Sequence, residues 1–216
     1  SYRHLVQDGT FLLTKVNESP VITLFLYYVL PRSFTTFCFQ YLCNKVNYVV
    51  RKSLENAVQM EYKALTDDMT GAYNKNRLIE LLNNREQDGQ DIAVIYWDVN
   101  QLKYVNDNWG HLCGDRLITE VAKTIQSIAR EEDIVIRYGG DEFLLYVANG
   151  TKEIAEQLIK TWKVRLEEEK KRENYEFPVS ASVGYALGKH SQLKDIIAAA
   201  DKDMYANKRI CRESAK

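Results

Sequence analysis

"RYGGDEF", residues 137–143, sets a pair of glycines before two carboxylates and an aromatic ring. Upstream, "EDIVIRY" reads as a strand, and downstream "FLLYVA" reads as another. Two such runs around a Gly-Gly pair predict a β-hairpin. A hairpin needs no acids at its tip, yet Asp141 and Glu142 stand side by side where the chain turns. For an isolated Gly-Gly-Asp the plain reading is a polar, solvated turn. Five fixed positions in a row are another matter, since average residue usage yields such a run at about 10⁻⁶ per start site.

On either side of the hairpin, helical and strand patterns alternate. A helix is expected over 74–85 (Leu78, Leu81, Leu82), a strand over 91–98 ("DIAVIYWD"), and a long helix over 111–130. That helix carries Leu117, Ile118, Val121, Ala122, Ile125 and Ile128 on one face. After the hairpin come a helix over 151–171, a strand over 178–187 ("PVSASVGYAL") and a helix over 192–210. Interleaving of this kind predicts an α/β (α+β) sandwich with a mixed or antiparallel sheet flanked by helices. "RLEEEKKRE" is a solvated helix face.

Upstream of this alternation, Phe39 to about Leu65 contains no Gly or Pro. Leu42, Val46, Val49, Val50, Leu54, Ala57 and Val58 recur three or four apart along it, the stripe of an amphipathic helix. "TDDMTGAYN" breaks the pattern: Thr66 and Asp67 suit caps, and Gly71 suits a turn. The earlier segments "TFLLTKV" and "PVITLFLYYV" read as strands, too few to close a core of their own. Three regions follow: 1–38, the end of an upstream module; 39–66, a signalling helix; and 67–216, the main domain.

The 216 residues allow one good core and an appendage, and 45% apolar with 27% charged residues is a globular composition. A formal net charge of −1 gives no case for binding nucleic acid or an anionic membrane. Cys38, Cys43, Cys113 and Cys211 form no C-x-x-C pair and no metal-ligand spacing, so reduced thiols in the cytoplasm are expected. The apolar run from Pro20 is about half the ~20 residues of a membrane helix. The next stretch, "SFTTFCFQYLC", is also uncharged, which leaves a membrane-tethered full-length protein open. No signal peptide is visible and the first residue is not Met, so the sequence reads as a piece of something longer.

The strand over 91–98 ends in "WDVN". An acid closing a buried strand is costly unless it is paired or binds a metal. Taken alone, Asp98 or Asn100 reads as a cap for the segment that follows. Taken with the hairpin acids, two carboxylates from neighbouring strands plus a backbone carbonyl suit a hard cation whose remaining ligands are phosphate oxygens.

The hairpin resembles the signature of the GGDEF family, the diguanylate cyclases, and the likeness extends well beyond it. "DVNQLKYVNDNWGHLCGD", Asp98 to Asp115, is similar to the family's nucleotide-pocket stretch at Asp98, Asn100, Lys103, Asn106, Asp107, Gly110, His111, Gly114 and Asp115. "DMTGAYNKN" resembles the family's opening motif at Asp67, Thr70, Gly71 and Asn74, with Met69, Ala72, Lys75 and Asn76 differing. "SVGYA" and "ADKDMYANK" resemble its closing strand and helix, although Asn207 stands where Ala is usual and Cys211 where Gly is usual.

The resemblance implies a palm-like fold shared with nucleotidyl cyclases and polymerases. It also implies condensation of two GTP molecules into cyclic di-GMP and two pyrophosphates by a homodimer with Mg²⁺ or Mn²⁺. Asp98, the Val99 carbonyl, Asp141 and Glu142 would hold the metal, with Asp141 also the base for the 3′-hydroxyl. Asn106 and Asp115 would read guanine, the alternative being ordinary helix caps. Gly139 and Gly140 would admit phosphate or ribose close to the backbone, and Lys103, His111, Lys208 and Arg212 would complete substrate binding. "REED" places Arg130 and Asp133 at the family's product-inhibition position, where cyclic di-GMP binds; alone, the pair reads as a helix-end salt bridge. The competing readings are a cyclic di-GMP receptor without catalysis and a purely structural signalling module. The segment before the main domain loosely resembles the last strand and helix of a GAF sensor.

Overall fold

The computed structural model describes residues 28–214, with Leu30 and residues 210–214 by backbone alone. The chain divides into two compact units, residues 1–59 and 60–216. In the first, the described residues are helical: Tyr28 and Val29 make a π-type turn and α1 (Leu30–Leu65) follows, ending inside the second unit. The helix therefore starts earlier than the expected Phe39, and Tyr28 and Val29 end no strand. Pro31 falls in the first turn, where a missing N–H breaks no helical bond and the fixed φ favours the helix. The other residues expected as strands in this region lie outside the described ones. Leu42, Val46, Val49, Val50, Leu54 and Val58 are each at least half exposed on α1. No described helix is long and apolar enough to cross a membrane.

In the second unit the chain runs α2 (Lys75–Asn83), β1 (Asp91–Val99), α3 (Leu102–Trp109), α4 (His111–Gln126), β2 (Ile134–Arg137), β3 (Glu142–Ala148), α5 (Lys152–Glu173), β4 (Ala181–Lys189) and α6 (Leu193–Ser214). The four strands form one sheet in the order β2-β3-β1-β4, every neighbouring pair antiparallel. β1 is central, and its run Ile92–Trp97 is apolar because both its faces are covered. Ala93, Ile95, Trp97 and Val99 join Phe143, Leu145 and Val147 in a core with α4 and α5, where Trp97 meets Trp162 edge to face at 5.7 Å. Ile92, Val94 and Tyr96 join Leu144 and Tyr146 in a second core with α2 and α6.

The Thr66–Asn74 boundary is a folded turn. Asp67 accepts from the Thr70 N–H (3.0 Å) and hydroxyl (2.7 Å), and Gly71, at φ +70°, donates its N–H to the Asp67 carbonyl. These bonds and an ion pair with Arg137 occupy the Asp67 carboxylate, so Asn74 caps α2 instead, accepting from the Asn76 N–H at 2.8 Å. α3 has no counterpart in the sequence reading. It spans eight residues and buries only Val105, too little for a periodic stripe to show.

Candidate functional site

Antiparallel register decides where the acids meet. Asp98, at the end of β1, stands directly across from Glu142, the first residue of β3. The Val99 N–H donates to the Asp141 carbonyl at 2.9 Å, which closes the hairpin tip onto the end of β1. Asp98 also forms an ion pair with Lys208 of α6, both side chains mostly buried (Asp98 18% and Lys208 16% exposed). Asp98 and Asn100 do not cap α3. Its N-cap is Gln101, at φ +60° and without a side-chain cap bond, while Asn100 Oδ1 accepts from the Ser182 hydroxyl at 3.0 Å.

The hairpin loop is longer than a two-residue turn. Residues 138–141 separate β2 from β3, and the Tyr138 N–H donates to the Glu142 carbonyl at 2.8 Å. Neither Gly139 nor Gly140 has positive φ, so their value here is the missing Cβ. A Cβ on Gly139 would lie 2.3 Å from Glu142 Oε2, whose carboxylate folds back over that glycine. Gly140 has open space beside it.

Arg137 anchors the hairpin tip. Its guanidinium donates to the Gly140 carbonyl at 2.7 Å and pairs with Asp67 at 3.0 Å, tying the hairpin tip to the turn after α1. Burial works against the Asp67 anion, but bonds from Thr70 and Arg137 outweigh it and hold this carboxyl below its usual range. An arginine two residues before the glycine pair was the available signal. Nothing in the sequence paired it with Asp67.

The second group of residues sits on α3 and α4. Gly110 joins the two helices at φ 85°, ψ 164°, a conformation essentially restricted to glycine. The junction brings Gly114 against Asn106, whose Oδ1 is buried without a hydrogen-bond partner among the described residues. An acceptor left open in this way has room for a hydrogen-bond donor from outside the chain. Asp115, His111 and Lys103 are exposed on the same two helices, and neither Asn106 nor Asp115 serves as a helix cap through its side chain. The Arg212 side chain lies outside the described ones.

Among the described residues no three His, Cys, Asp or Glu side chains form a ready metal cluster. The donor set nevertheless fits a hard cation. Asp98 and Glu142 present carboxylates in register, and the Lys208 ammonium shows that positive charge is accepted beside Asp98. Mg²⁺ is commonly held by one or two carboxylates with substrate phosphates completing its shell.

Arg130 and Asp133 are joined to each other. Arg130 Nε (3.0 Å), Nη2 (2.8 Å) and its own N–H (3.0 Å) all donate to the fully buried Asp133 carboxylate. The Ala148 N–H adds a bond at 3.3 Å, and Arg130 Nη2 also reaches the Ala148 carbonyl at 2.8 Å. The pair thus staples the turn after α4 to the end of β3, which is also where the expected helix to residue 130 stops short, at Gln126.

The chain is an α/β sandwich built on one antiparallel sheet, with acids gathered at the end of its central strand. The chain matches the family described as diguanylate cyclase, GGDEF domain, over residues 64–214, and it belongs to that family. The probable diguanylate cyclase DgcJ of Escherichia coli K12 is 34% identical over 167 residues, covering 72% of this chain and 33% of that protein. The cyclic di-GMP phosphodiesterase PdeR of the same organism is 34% identical over 149 residues, covering 67% of this chain and 22% of that protein. The solved coiled coil and GGDEF domain of DgcB from Caulobacter crescentus, in complex with c-di-GMP, superposes with a TM-score of 0.66 at 25% identity, covering 79% of this chain and 94% of that one. The chain therefore spans about a third and about a fifth of the two curated relatives.

Proposed function

We propose that residues 67–216 form a diguanylate cyclase domain that condenses two GTP into cyclic di-GMP and two pyrophosphates, with α1 as the helix linking it to an upstream sensory module. The observation that carries this reading is the meeting of Asp98 and Glu142 across β1 and β3 beside Lys208. Curated relatives named as cyclases support it, while the phosphodiesterase among them keeps the non-catalytic receptor as the second reading.

In this mechanism Asn106 and Asp115 accept hydrogen bonds from the guanine N1–H and exocyclic amine. Adenine lacks the N1–H and would leave the Asn106 acceptor buried and unpaired. Lys103, His111, Lys208 and Arg212 bind the triphosphate, and Gly140 leaves the backbone open to it. Asp141 takes the proton from the 3′-hydroxyl of one GTP. That oxygen bonds to the α-phosphorus of the other, and the bond to the β-phosphate oxygen breaks to release pyrophosphate; the same displacement with the two nucleotides exchanged closes the ring and releases the second pyrophosphate. Mg²⁺ or Mn²⁺ held by Asp98, Asp141, the Val99 carbonyl and Glu142 would supply charge stabilisation to the attacking and leaving oxygens. Incubation with GTP and Mg²⁺ tests the proposal: a cyclic dinucleotide with two equivalents of pyrophosphate supports it. Binding of cyclic di-GMP without any turnover supports the receptor reading.

Each domain holds one GTP, so two copies must face each other. The exposed apolar stripe of α1 supports a homodimer seam, because it leaves an apolar face without cover among the described residues. Specific activity is expected to rise with protein concentration as dimers form, tracked by sedimentation. Flat activity across a wide range, given by a monomer, would remove the seam from the account.

Product feedback at Arg130 and Asp133 is the remaining element. Arg130 would turn its guanidinium to guanine O6 and N7 while Asp133 accepts from N1–H, so binding exchanges the internal pair for an external one. Inhibition by cyclic di-GMP is expected to be non-competitive with GTP, as a second site requires. Arg130→Ala should raise the inhibitory concentration at least about tenfold, the loss of one charged hydrogen-bonding partner. It should also cost about 1–3 kcal/mol of stability, because Asp133 stays buried with only backbone donors. Inhibition as strong as the parent's would return the pair to a purely structural staple.

A further inference from the structure

Tyr96 lies two residues before Asp98 on β1, so alternation puts both side chains on the α2/α6 face of the sheet, the face that also carries Glu142 from β3. The residue is 3% exposed. A phenylalanine would fill the same space, and a buried hydroxyl is costly unless it finds a partner. The charged groups facing it are Glu142 from β3 and Asp201 from α6, with the Tyr138 hydroxyl nearby.

The surroundings hold Glu142 in place from the other sides. The Tyr138 ring packs edge-on against Tyr96 at 5.9 Å, and the Tyr138 N–H donates to the Glu142 carbonyl at 2.8 Å. The Lys75 ammonium covers the Tyr138 ring at 4.9 Å. Glu142 Oε2 occupies the space that a Cβ on Gly139 would fill. A cavity of about 410 Å³ between α2 and α6 reaches both tyrosines and Asp201, so the hydroxyl is not held by close packing on that side.

We propose that Tyr96 is a positioning residue: its hydroxyl donates to the Glu142 carboxylate and holds it across from Asp98, in place for the divalent cation. This rests on the reading of Asp98 and Glu142 as cation ligands. A partner that orients a metal-binding carboxylate typically matters about tenfold or more in metal affinity. Tyr96 keeps Glu142 from turning away into the cavity or to solvent.

The test uses Mn²⁺ with a GTP analogue carrying a methylene bridge between the α- and β-phosphates, and reads bound Mn²⁺ by electron paramagnetic resonance. Tyr96→Phe is expected to weaken Mn²⁺ binding about tenfold while the melting temperature stays close to the parent's. Turnover should recover toward the parent kcat as Mg²⁺ is raised. In a Glu142→Gln background, Tyr96→Phe should change Mn²⁺ binding no further, since the two act as a unit. Unchanged Mn²⁺ affinity in Tyr96→Phe overturns the proposal. The same loss from Asp201→Asn also overturns it, because the hydroxyl would then serve a β1–α6 tie. A parent that makes no dinucleotide from GTP overturns the cyclase reading, and a Mn²⁺ loss confined to Tyr96→Phe would still sustain the positioning role.

Discussion

Asp141→Asn should abolish dinucleotide synthesis, a fall of about a thousandfold or more, and leave the fold standing. An amide keeps the shape of the carboxylate but neither draws a divalent cation nor takes a proton from the 3′-hydroxyl. The fold does not depend on the charge: the Asp141 bond that closes the hairpin onto β1 runs from its backbone carbonyl to the Val99 N–H. Asp98→Asn should be equally silent. It carries a further cost, because the Lys208 ammonium loses its partner in a site that is mostly buried. Initial rates of pyrophosphate release at saturating Mg²⁺, with circular dichroism as the control, decide both cases. Appreciable turnover by Asp141→Ala would end the assignment of Asp141 as base and ligand.

Gly114→Ala should raise the KM for GTP by roughly 10- to 100-fold, the loss of one or two hydrogen bonds in a desolvated site. The new Cβ would lie 1.9 Å from Asn106 Oδ1 and 2.9 Å from its Cγ, and 3.1 Å from Leu102 Cδ1. The Asn106 side chain can swing away, so the helices survive; alanine is itself the better helix former by about 1 kcal/mol. What is lost is the placement of the acceptor proposed to read guanine. The preference for GTP over ATP should narrow in step, read by competition between the two nucleotides. A variant with the parent's KM and selectivity would show that Asn106 does not read the base.

Much of this was legible in the amino-acid string because it is local. Leu78, Leu81 and the Leu117–Ile125 face declare their helices by period, and the buried run Ile92–Trp97 of β1 follows from covering both sides of a central strand. The five residues from Gly139 to Phe143, with the Asp98–Asp115 stretch, identified the family and named the acids before any contact was known. Boundaries were less legible. The first helix begins at Leu30, with Pro31 in its first turn, well ahead of the expected Phe39, and α3 is too short to carry a stripe.

The tertiary structure decided which of these residues meet. Asp98 and Glu142 are far apart in the chain, and antiparallel register alone sets them opposite; a one-residue slip would turn one of them to the other face. Lys208 reaches Asp98 only because α6 folds back across β4 and β1. Arg137 finds Asp67 through the same packing, with no sequence spacing to announce it. Local chemistry is written in the order of residues and can be read from it. Pairings between distant residues are chosen by sheet register and the burial of two apolar faces, which exist only once the chain has folded.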